Sequence, residues 1–534
     1  MEKKRKWNRL NREDMVFLLF FLAMAVYYGW RLFTLTPWYD ELYTYYYFIS
    51  RGPVYAAIHW PLPNNHVGYS VLSGCLMIFG NPAIALRGVS YLSSLAALYL
   101  LYQTGKKLLG KELALMPVFL FAGMSLVNQL AVQGRGYALV TFCYLLAIWE
   151  LIRIVVEQKN RKWDTLLFGL SLVLALWAIP SSVYVVIPVC VTGGLYLLLQ
   201  KEYRRLGRLI VISLISALCT VGLYGILWLA VGSNLLMKTE GSAYCGQGHV
   251  AIILHAPVQA ALTGIEYMLA TPYIQSVARE GYLHNLANWI KNLLNYYYTG
   301  AAVFLAVILV VGGITALVCV GKKTIRKQYR AGAESRYEDF TEIYLVCSVV
   351  LLPLMLIIQG ALPYYRVFSF AGVVVAIMIT WLWQKGRKFR KVGNYWAMAG
   401  CVFSALAALL LLSSPAYRTP YSERETAIED ALRQTKIETA DKIGVTDCDQ
   451  EYLLKYLYDI PQERMTRQVE EADVVVADRY LLGIGNGLPE DENPDDWKLY
   501  LSQEQFGEAL EAGTMVPVYE NERFVVYERK TKAN

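Results

Sequence analysis

The sequence predicts a polytopic, mainly α-helical membrane protein that ends in a small α/β domain outside the membrane. Three observations predict it. Apolar residues fill 56% of the 534 positions and charged residues only 17%, against roughly 45–50% and about 25% in soluble domains. Apolar runs long enough to cross ~30 Å of hydrocarbon recur up to residue 413. Charge then changes sign: 36 Lys+Arg stand against 17 Asp+Glu up to residue 413, and 14 against 26 over residues 414–534. A mean hydropathy of +0.34 excludes one large soluble core, and with it the disordered and fibrous classes.

The runs predict about eleven transmembrane helices, at 15–34, 83–104, 113–131, 136–156, 164–180, 182–200, 208–232, 300–320, 342–360, 365–384 and 395–413. With the N-terminus in the cytoplasm, 28 Lys+Arg gather on one face, in 1–14, 105–111, 153–163, 200–208, 321–336 and 384–391. The positive-inside rule therefore sets the orientation, and an odd number of spans sends the C-terminus out. The first run is too long for a removable signal peptide and lacks a small-residue cleavage site, so it is expected to stay as an anchor. The expected domains are a basic cytoplasmic segment 1–14, a transmembrane domain 15–413, and an extra-cytoplasmic α/β domain 414–534. Localisation in a bacterial plasma membrane follows from this layout.

Two external segments, 35–82 and 233–299, are long, whereas the cytoplasmic connections are short and basic. Long loops are where function concentrates. The stretch from Trp38 to Phe48 is rich in Tyr and too short to span, which suits a helix lying in the headgroup layer. Similar surface pieces are expected at 250–269 and 284–298. In the tail, periodicity predicts helices at 426–435, 450–458 and 503–512, strands at 442–446 and 473–477, and a hairpin over 516–528 around Asn521. Gly483 to Gly487 precedes Pro489 and acidic residues, so it reads as a turn and not a phosphate cradle. Most of the nine Cys lie in apolar runs; only Cys245 and Cys448 could form a bridge, and no spacing suggests a metal site.

Three features could carry chemistry. Asp40-Glu41 places two carboxylates just past the first span, beside a wall of aromatics. Neighbours on a helix do not share a face, so the two acids would have different roles; the plainer reading makes Asp40 a helix N-cap. The turn from His59 to Ser70 holds two of the five His, with Asn65 and His66 as candidates for substrate hydrogen bonding. Pro and Asn building the turn is its plainer reading, and the two His are also compatible with a divalent metal. Arg135 in Gln133-Gly134-Arg135-Gly136-Tyr137, Arg366 in Leu362-Pro363-Tyr364-Tyr365-Arg366, and Arg87 map to the outer level. Each could simply snorkel, but together they suit an anionic group such as a lipid phosphate.

This combination resembles the GT-C superfamily of integral-membrane glycosyltransferases, in the branch of protein O-mannosyltransferases and bacterial lipid A aminoarabinose transferases. The residues that carry the resemblance are Asp40-Glu41, the Pro63-Asn64-Asn65-His66 turn with Gly68-Tyr69, and Arg135-Gly136-Tyr137. The motifs cover roughly residues 15–200; beyond that only the layout is similar. The resemblance implies a GT-C-like fold, a catalytic Asp in the first external loop, a polyprenyl phosphate-linked sugar as donor, and often an extra-cytoplasmic C-terminal domain. Val67 follows His66 where the family more often has His-Pro, so the role of His66 does not carry over with the motif.

The residues support the same chemistry on their own. Transfer from a lipid phosphate needs a base for an acceptor hydroxyl, cations for the departing phosphate and a platform for the sugar. Asp40 supplies the base with Glu41 in support, Arg135 or Arg366 the cations, and Tyr137 and the Tyr/Trp belt the platform. No cofactor is demanded, a divalent metal is not required, and inversion follows from one in-line displacement. Membrane lipids and a glycan, lipid or protein acceptor are the other expected partners; nucleic acid is not. The alternative is a lipid-linked sugar flippase or other transporter. Transporters place ionisable groups near the midplane and often show repeated halves, whereas Glu150 and Asp164 fall near the cytoplasmic ends of their runs. A non-enzymatic assembly or sensor protein would explain the acidic tail but not the Asp40-Glu41 loop.

Overall fold

The computed structural model describes residues 11–60, 65–159, 161–270, 280–326, 329, 333–390, 394–414, 422–435, 437, 439–482 and 500–530. The chain forms two compact units, residues 1–33 with 51–418 and residues 34–50 with 419–534. This division differs from the expected one, because residues 34–50 leave the membrane domain and join the tail.

In the first unit, α1 (Arg12–Thr34) opens with Glu13 and Asp14 and closes with Arg31, charges that suit the helix dipole. The chain continues through α3 (Pro53–Ile58), α4 (Val67–Cys75), α5 (Pro82–Leu108), α6 (Leu115–Ala122), α7 (Ser125–Leu130), α8 (Tyr137–Leu151), α9 (Lys162–Ala178), α10 (Val183–Leu199) and α11 (Tyr203–Lys238). It ends in α12 (His249–His255), α13 (Pro257–Ala270), α14 (Tyr282–Tyr297), α15 (Ala302–Ile325), α16 (Ala333–Gln359), α17 (Ala371–Arg390) and α18 (Asn394–Ser413).

Among the described residues, eight helices are long and apolar enough to cross a membrane, or nine if the bent pair α12 and α13 counts as one span. The other three of the eleven expected spans are helical but short or broken. Gly123 lies against the backbone of Ala408, 3.2 Å from where a Cβ would sit, and the 113–131 run divides there into α6 and α7. Helix α9 stops after 17 residues because Ile179, held extended before Pro180, cannot continue it. The 365–384 run begins instead at Ala371, after a 3-10 turn over Tyr365–Phe368. The surface pieces expected at 250–269 and 284–298 are α12 with α13, bent by 110°, and α14.

Exposed Leu19, Val26, Leu218, Val303 and Leu410 line the outward faces of the spans, as a lipid solvent requires. Inside, α11 and α13 meet backbone to backbone. A Cβ on Gly232 would fall 1.7 Å from the Ala260 carbonyl oxygen, and one on Gly264 would fall 2.1 Å from that of Trp228. Only glycine permits so close an approach. Buried charges are paired: Arg153 bridges Glu150 and Asp164 at 3.2 and 2.7 Å, and Glu342 receives both Lys323 and Lys385 at 2.8 Å.

In the second unit, the segment 34–50 supplies α2 (Tyr39–Tyr47), and the tail supplies α19 (Glu423–Arg433), α20 (Cys448–Tyr458) and α21 (Gln503–Glu511). Strands β1 (Ile443–Gly444), β2 (Met465–Thr466), β3 (Val474–Asp478), β4 (Met515–Glu520) and β5 (Phe524–Arg529) form a sheet in the order β2-β1-β3-β5-β4. β1 runs parallel to β2 and β3, while β5 pairs antiparallel with β3 and β4. β3 is buried along its whole length: Val474 and Val476 face one core with Leu42, Ile428 and Leu453, and Val475 and Ala477 face another with Phe506. The expected tail elements all form, with β2 in addition; the turn expected at 483–487 lies outside the described residues.

Candidate functional site

Two groups of the expected site residues take shape, one in each unit. In the first unit, Asn65 and His66 precede α4. The Asn65 amide donates to the Ala56 and His59 carbonyls at 3.0 and 2.9 Å, and its oxygen accepts from the Ser70 hydroxyl at 2.8 Å. Both amide protons are committed, so Asn65 ties the turn to α4. Residues 61–64, which include the start of the Pro63-Asn64-Asn65-His66 motif, lie outside the described residues. Gly68 lets α4 press on the end of α9, since a Cβ there would meet the Ala178 nitrogen at 3.0 Å. The Tyr69 hydroxyl donates to the Leu86 carbonyl at 2.5 Å.

The loop between α7 and α8 is held from α5. The Ser94 hydroxyl donates to the Ala131 carbonyl at 2.7 Å, and that of Ser90 lies 2.5 and 3.1 Å from the Gln133 and Arg135 carbonyls. Thus anchored, the loop presents Arg135 and Gly136 to His66. The Gly136 N–H donates to His66 Nδ1 at 2.9 Å, and Arg135 Nη2 stands 3.2 Å from His66 Nε2. The Tyr137 ring meets the imidazole edge-on at 5.1 Å, and the Arg366 guanidinium lies 5.8 Å from the same Tyr ring. Four expected site residues from three separate parts of the chain, His66, Arg135, Tyr137 and Arg366, therefore converge.

The cluster sets two guanidiniums near a buried imidazole. His66 is driven well below its ordinary pKa, first by burial and then by the charges of Arg135 and Arg366, so its ring stays neutral. A neutral imidazole accepts only one hydrogen bond. Gly136 and Arg135 both offer donors to it, and an anionic oxygen reaching Nε2–H and the guanidinium would accept from both. Arg87 stands apart: almost wholly buried, it donates to the Leu32 carbonyl at 3.1 Å, in the last turn of α1 where carbonyls lack helical partners. This bond ties α5 to the end of α1.

In the second unit, the helix cap is not where the sequence suggested. Trp38 is the N-cap of α2 and Asp40 the second helical residue. The capping carboxylate is that of Glu41, fully buried, which accepts from the Trp38 N–H at 3.0 Å. The cap function is thus taken by Glu41, and Asp40 is not the N-cap. Helix α2 packs into the α/β unit. Leu42 enters the core of the α/β unit, and Tyr46 and Tyr45 pack on Tyr452 and Tyr456 at 5.3 and 5.6 Å between ring centroids. Part of the aromatic wall expected to serve as a sugar platform is therefore packing.

Sequence reasoning missed Ser90 and Ser94, which set the loop, and Glu425, whose carboxylate accepts from the Tyr39 N–H at 2.8 Å. Their residue types carry no signal; only the fold shows what they hold. Among the described residues, no group of three His, Cys, Asp or Glu gathers as metal ligands do.

Residues 66–232 match the family described as dolichyl-phosphate-mannose-protein mannosyltransferase. The matched stretch contains His66, Arg87, Arg135 and Tyr137 and leaves Asp40 and Arg366 outside it. No curated protein matches the chain. Among solved structures, the chain is similar to the apo oligosaccharyltransferase of Archaeoglobus fulgidus, with 12% identity and a TM-score of 0.48 over 87% of this chain and 70% of that one. It is similar to ArnT from Cupriavidus metallidurans bound to undecaprenyl phosphate, with 13% identity and a TM-score of 0.45 over 97% and 99%. AglB from A. fulgidus, in complex with an inhibitory peptide and a dolichol-phosphate, gives 14% identity and a TM-score of 0.46 over 85% and 61%.

Proposed function

We propose that the protein transfers a sugar from a polyprenyl phosphate-linked donor to an acceptor hydroxyl on the extra-cytoplasmic face, with inversion. The observation that carries this reading is the convergence of Arg135 and Arg366, two of the residues expected to meet a lipid phosphate, with neutral His66, a candidate for substrate hydrogen bonding. The family description supports the donor class. An apolar cavity of about 230 Å³, lined by Trp289, Leu293, Val349, Leu356, Phe368 and Val375, adjoins the turn that bears Arg366 and suits part of an isoprenoid chain.

In this reading the acceptor oxygen attacks the anomeric carbon opposite the phosphate, and the bond from that carbon to the phosphate oxygen breaks. The polyprenyl phosphate leaves with the electron pair, its charge met by Arg135 and Arg366. The hydroxyl proton passes to the Asp40 carboxylate, while Glu41 holds the first turn of α2. One displacement inverts the anomeric centre. The full-length protein, purified and incubated with a panel of labelled polyprenyl phosphate sugars, is expected to release polyprenyl phosphate from one of them when an acceptor is supplied. Binding of donors without release, combined with their movement across a vesicle, would instead establish a flippase.

We also propose the orientation that the Lys/Arg bias supports: N-terminus in the cytoplasm, residues 414–534 outside, in a bacterial plasma membrane. A C-terminal tag on the full chain is expected to be removed by protease added outside intact spheroplasts. A tag protected until the membrane is opened would reverse the orientation.

A further inference from the structure

We propose that Glu425 is the positioning residue for Asp40, and that the C-terminal domain is for this reason a working part of the transfer machinery. The inference rests on the reading of Asp40 as the base and adds to it a partner from the tail. Three hydrogen bonds tie the segment that leads into α2 to α19 and its N-cap. Glu425 accepts from the Tyr39 N–H at 2.8 Å, Glu429 accepts from the Thr36 hydroxyl, and the Ser422 hydroxyl donates to the Thr36 carbonyl at 3.1 Å. Tyr39 and Asp40 are the first two residues of α2, so the bond to Glu425 sets where the Asp40 turn begins. Leu42, one turn on, is locked into the core that α19 and α20 share.

The charges around Glu425 are unusual. Arg424 on the same helix is held by Asp447 at 2.6 Å, Asp449 at 2.8 Å and Asp478 at 3.3 Å, and Arg523 adds a bond to Asp478 at 3.0 Å. From α2, Asp40 and Tyr39 face Glu425; from α20, Asp449 faces it, with Cys448 against Tyr39. Two guanidiniums thus stand among five carboxylates, four of them members of the tail domain, and full ionisation of the buried group is unfavourable. Burial, with the charge of Asp40, lifts Glu425 to about 7, and Asp449 is raised in the same direction by burial and by Glu425. The ionised carboxylate is the stronger acceptor for the Tyr39 N–H. Protonation of Glu425 loosens that anchor, so the hold on Asp40 weakens as pH falls through this range.

The test is a pH profile of turnover with whichever labelled polyprenyl phosphate sugar the panel selects, alongside binding of undecaprenyl phosphate. Wild type is expected to show an acid limb near pH 7. Glu425→Gln, which keeps an acceptor oxygen but does not titrate, is expected to lose that limb and to bind undecaprenyl phosphate within about twofold of wild type. Glu425→Ala is expected to lower kcat about tenfold or more with the same binding. A Glu425→Gln profile superimposable on wild type overturns the proposal even if Glu425→Ala fails to fold. Asp40→Asn separates the two readings: an inactive Asp40→Asn with an unmoved Glu425→Gln limb sinks the positioning role alone. A fully active Asp40→Asn, or no turnover with any donor of the panel, ends both.

Discussion

Asp40→Asn is expected to lower turnover by about 100- to 10,000-fold, the usual cost of removing a general base, while undecaprenyl phosphate still binds and the protein stays folded. The structure sharpens this contrast. Had Asp40 been the N-cap, its replacement would have been a stability experiment with an effect of ~1 kcal/mol. The cap is Trp38, and the carboxylate that serves it belongs to Glu41. Asn at position 40 therefore removes no capping bond of α2, and the loss of a first-turn charge costs about 0.3–1 kcal/mol against the helix dipole. Glu41→Gln is the matched control, since it weakens the bond to the Trp38 N–H and is expected to lower stability more than Asp40→Asn does. Steady-state turnover, thermal unfolding and lipid binding on the same preparations decide the matter, and full turnover by Asp40→Asn would falsify the assignment.

Arg135→Lys and Arg366→Lys are each expected to weaken undecaprenyl phosphate binding by about 10- to 100-fold, because a lysine keeps the charge but not the planar fork that meets two phosphate oxygens at once. The double change is expected to cost less than the product of the two, as both residues would serve one phosphate. Arg87→Lys provides the contrast. Its guanidinium is bonded to the Leu32 carbonyl, so the expected loss is in thermal stability with lipid affinity retained. Isothermal titration with undecaprenyl phosphate in detergent reads all three. Unchanged affinity in both Arg135→Lys and Arg366→Lys would place the phosphate elsewhere.

What was legible in the sequence follows from periodicity. Apolar runs announce helices because a chain in hydrocarbon must satisfy its backbone internally, and the tail's alternating signals announced an α/β unit whose elements form within a few residues of their expected ends. Glycine marked the close approach of α11 and α13 only after the fact: Gly232 and Gly264 look like any others in an apolar run until the Ala260 and Trp228 carbonyls are seen against them. Run length alone also overcounts spans. Gly123 and Pro180 break or end helices whose hydropathy is high enough to suggest a crossing.

The candidate site divides along the same line. Composition, charge and residue type were enough to single out Asp40, His66, Arg135, Tyr137 and Arg366, because carboxylates and guanidiniums on an otherwise apolar chain are costly to keep. They were also enough to set the Lys/Arg asymmetry and the change of charge at residue 413. Only the tertiary structure decided that His66, Arg135, Tyr137 and Arg366 meet, that Arg87 and Asn65 hydrogen-bond main-chain carbonyls, and that residues 34–50 fold with the tail through Glu425, Glu429 and Leu42. The reason is physical. A local pattern states which face of a segment must avoid water or lipid, whereas the partner across that face stands hundreds of residues away, and its identity is chosen by packing and hydrogen bonding that no window along the chain contains.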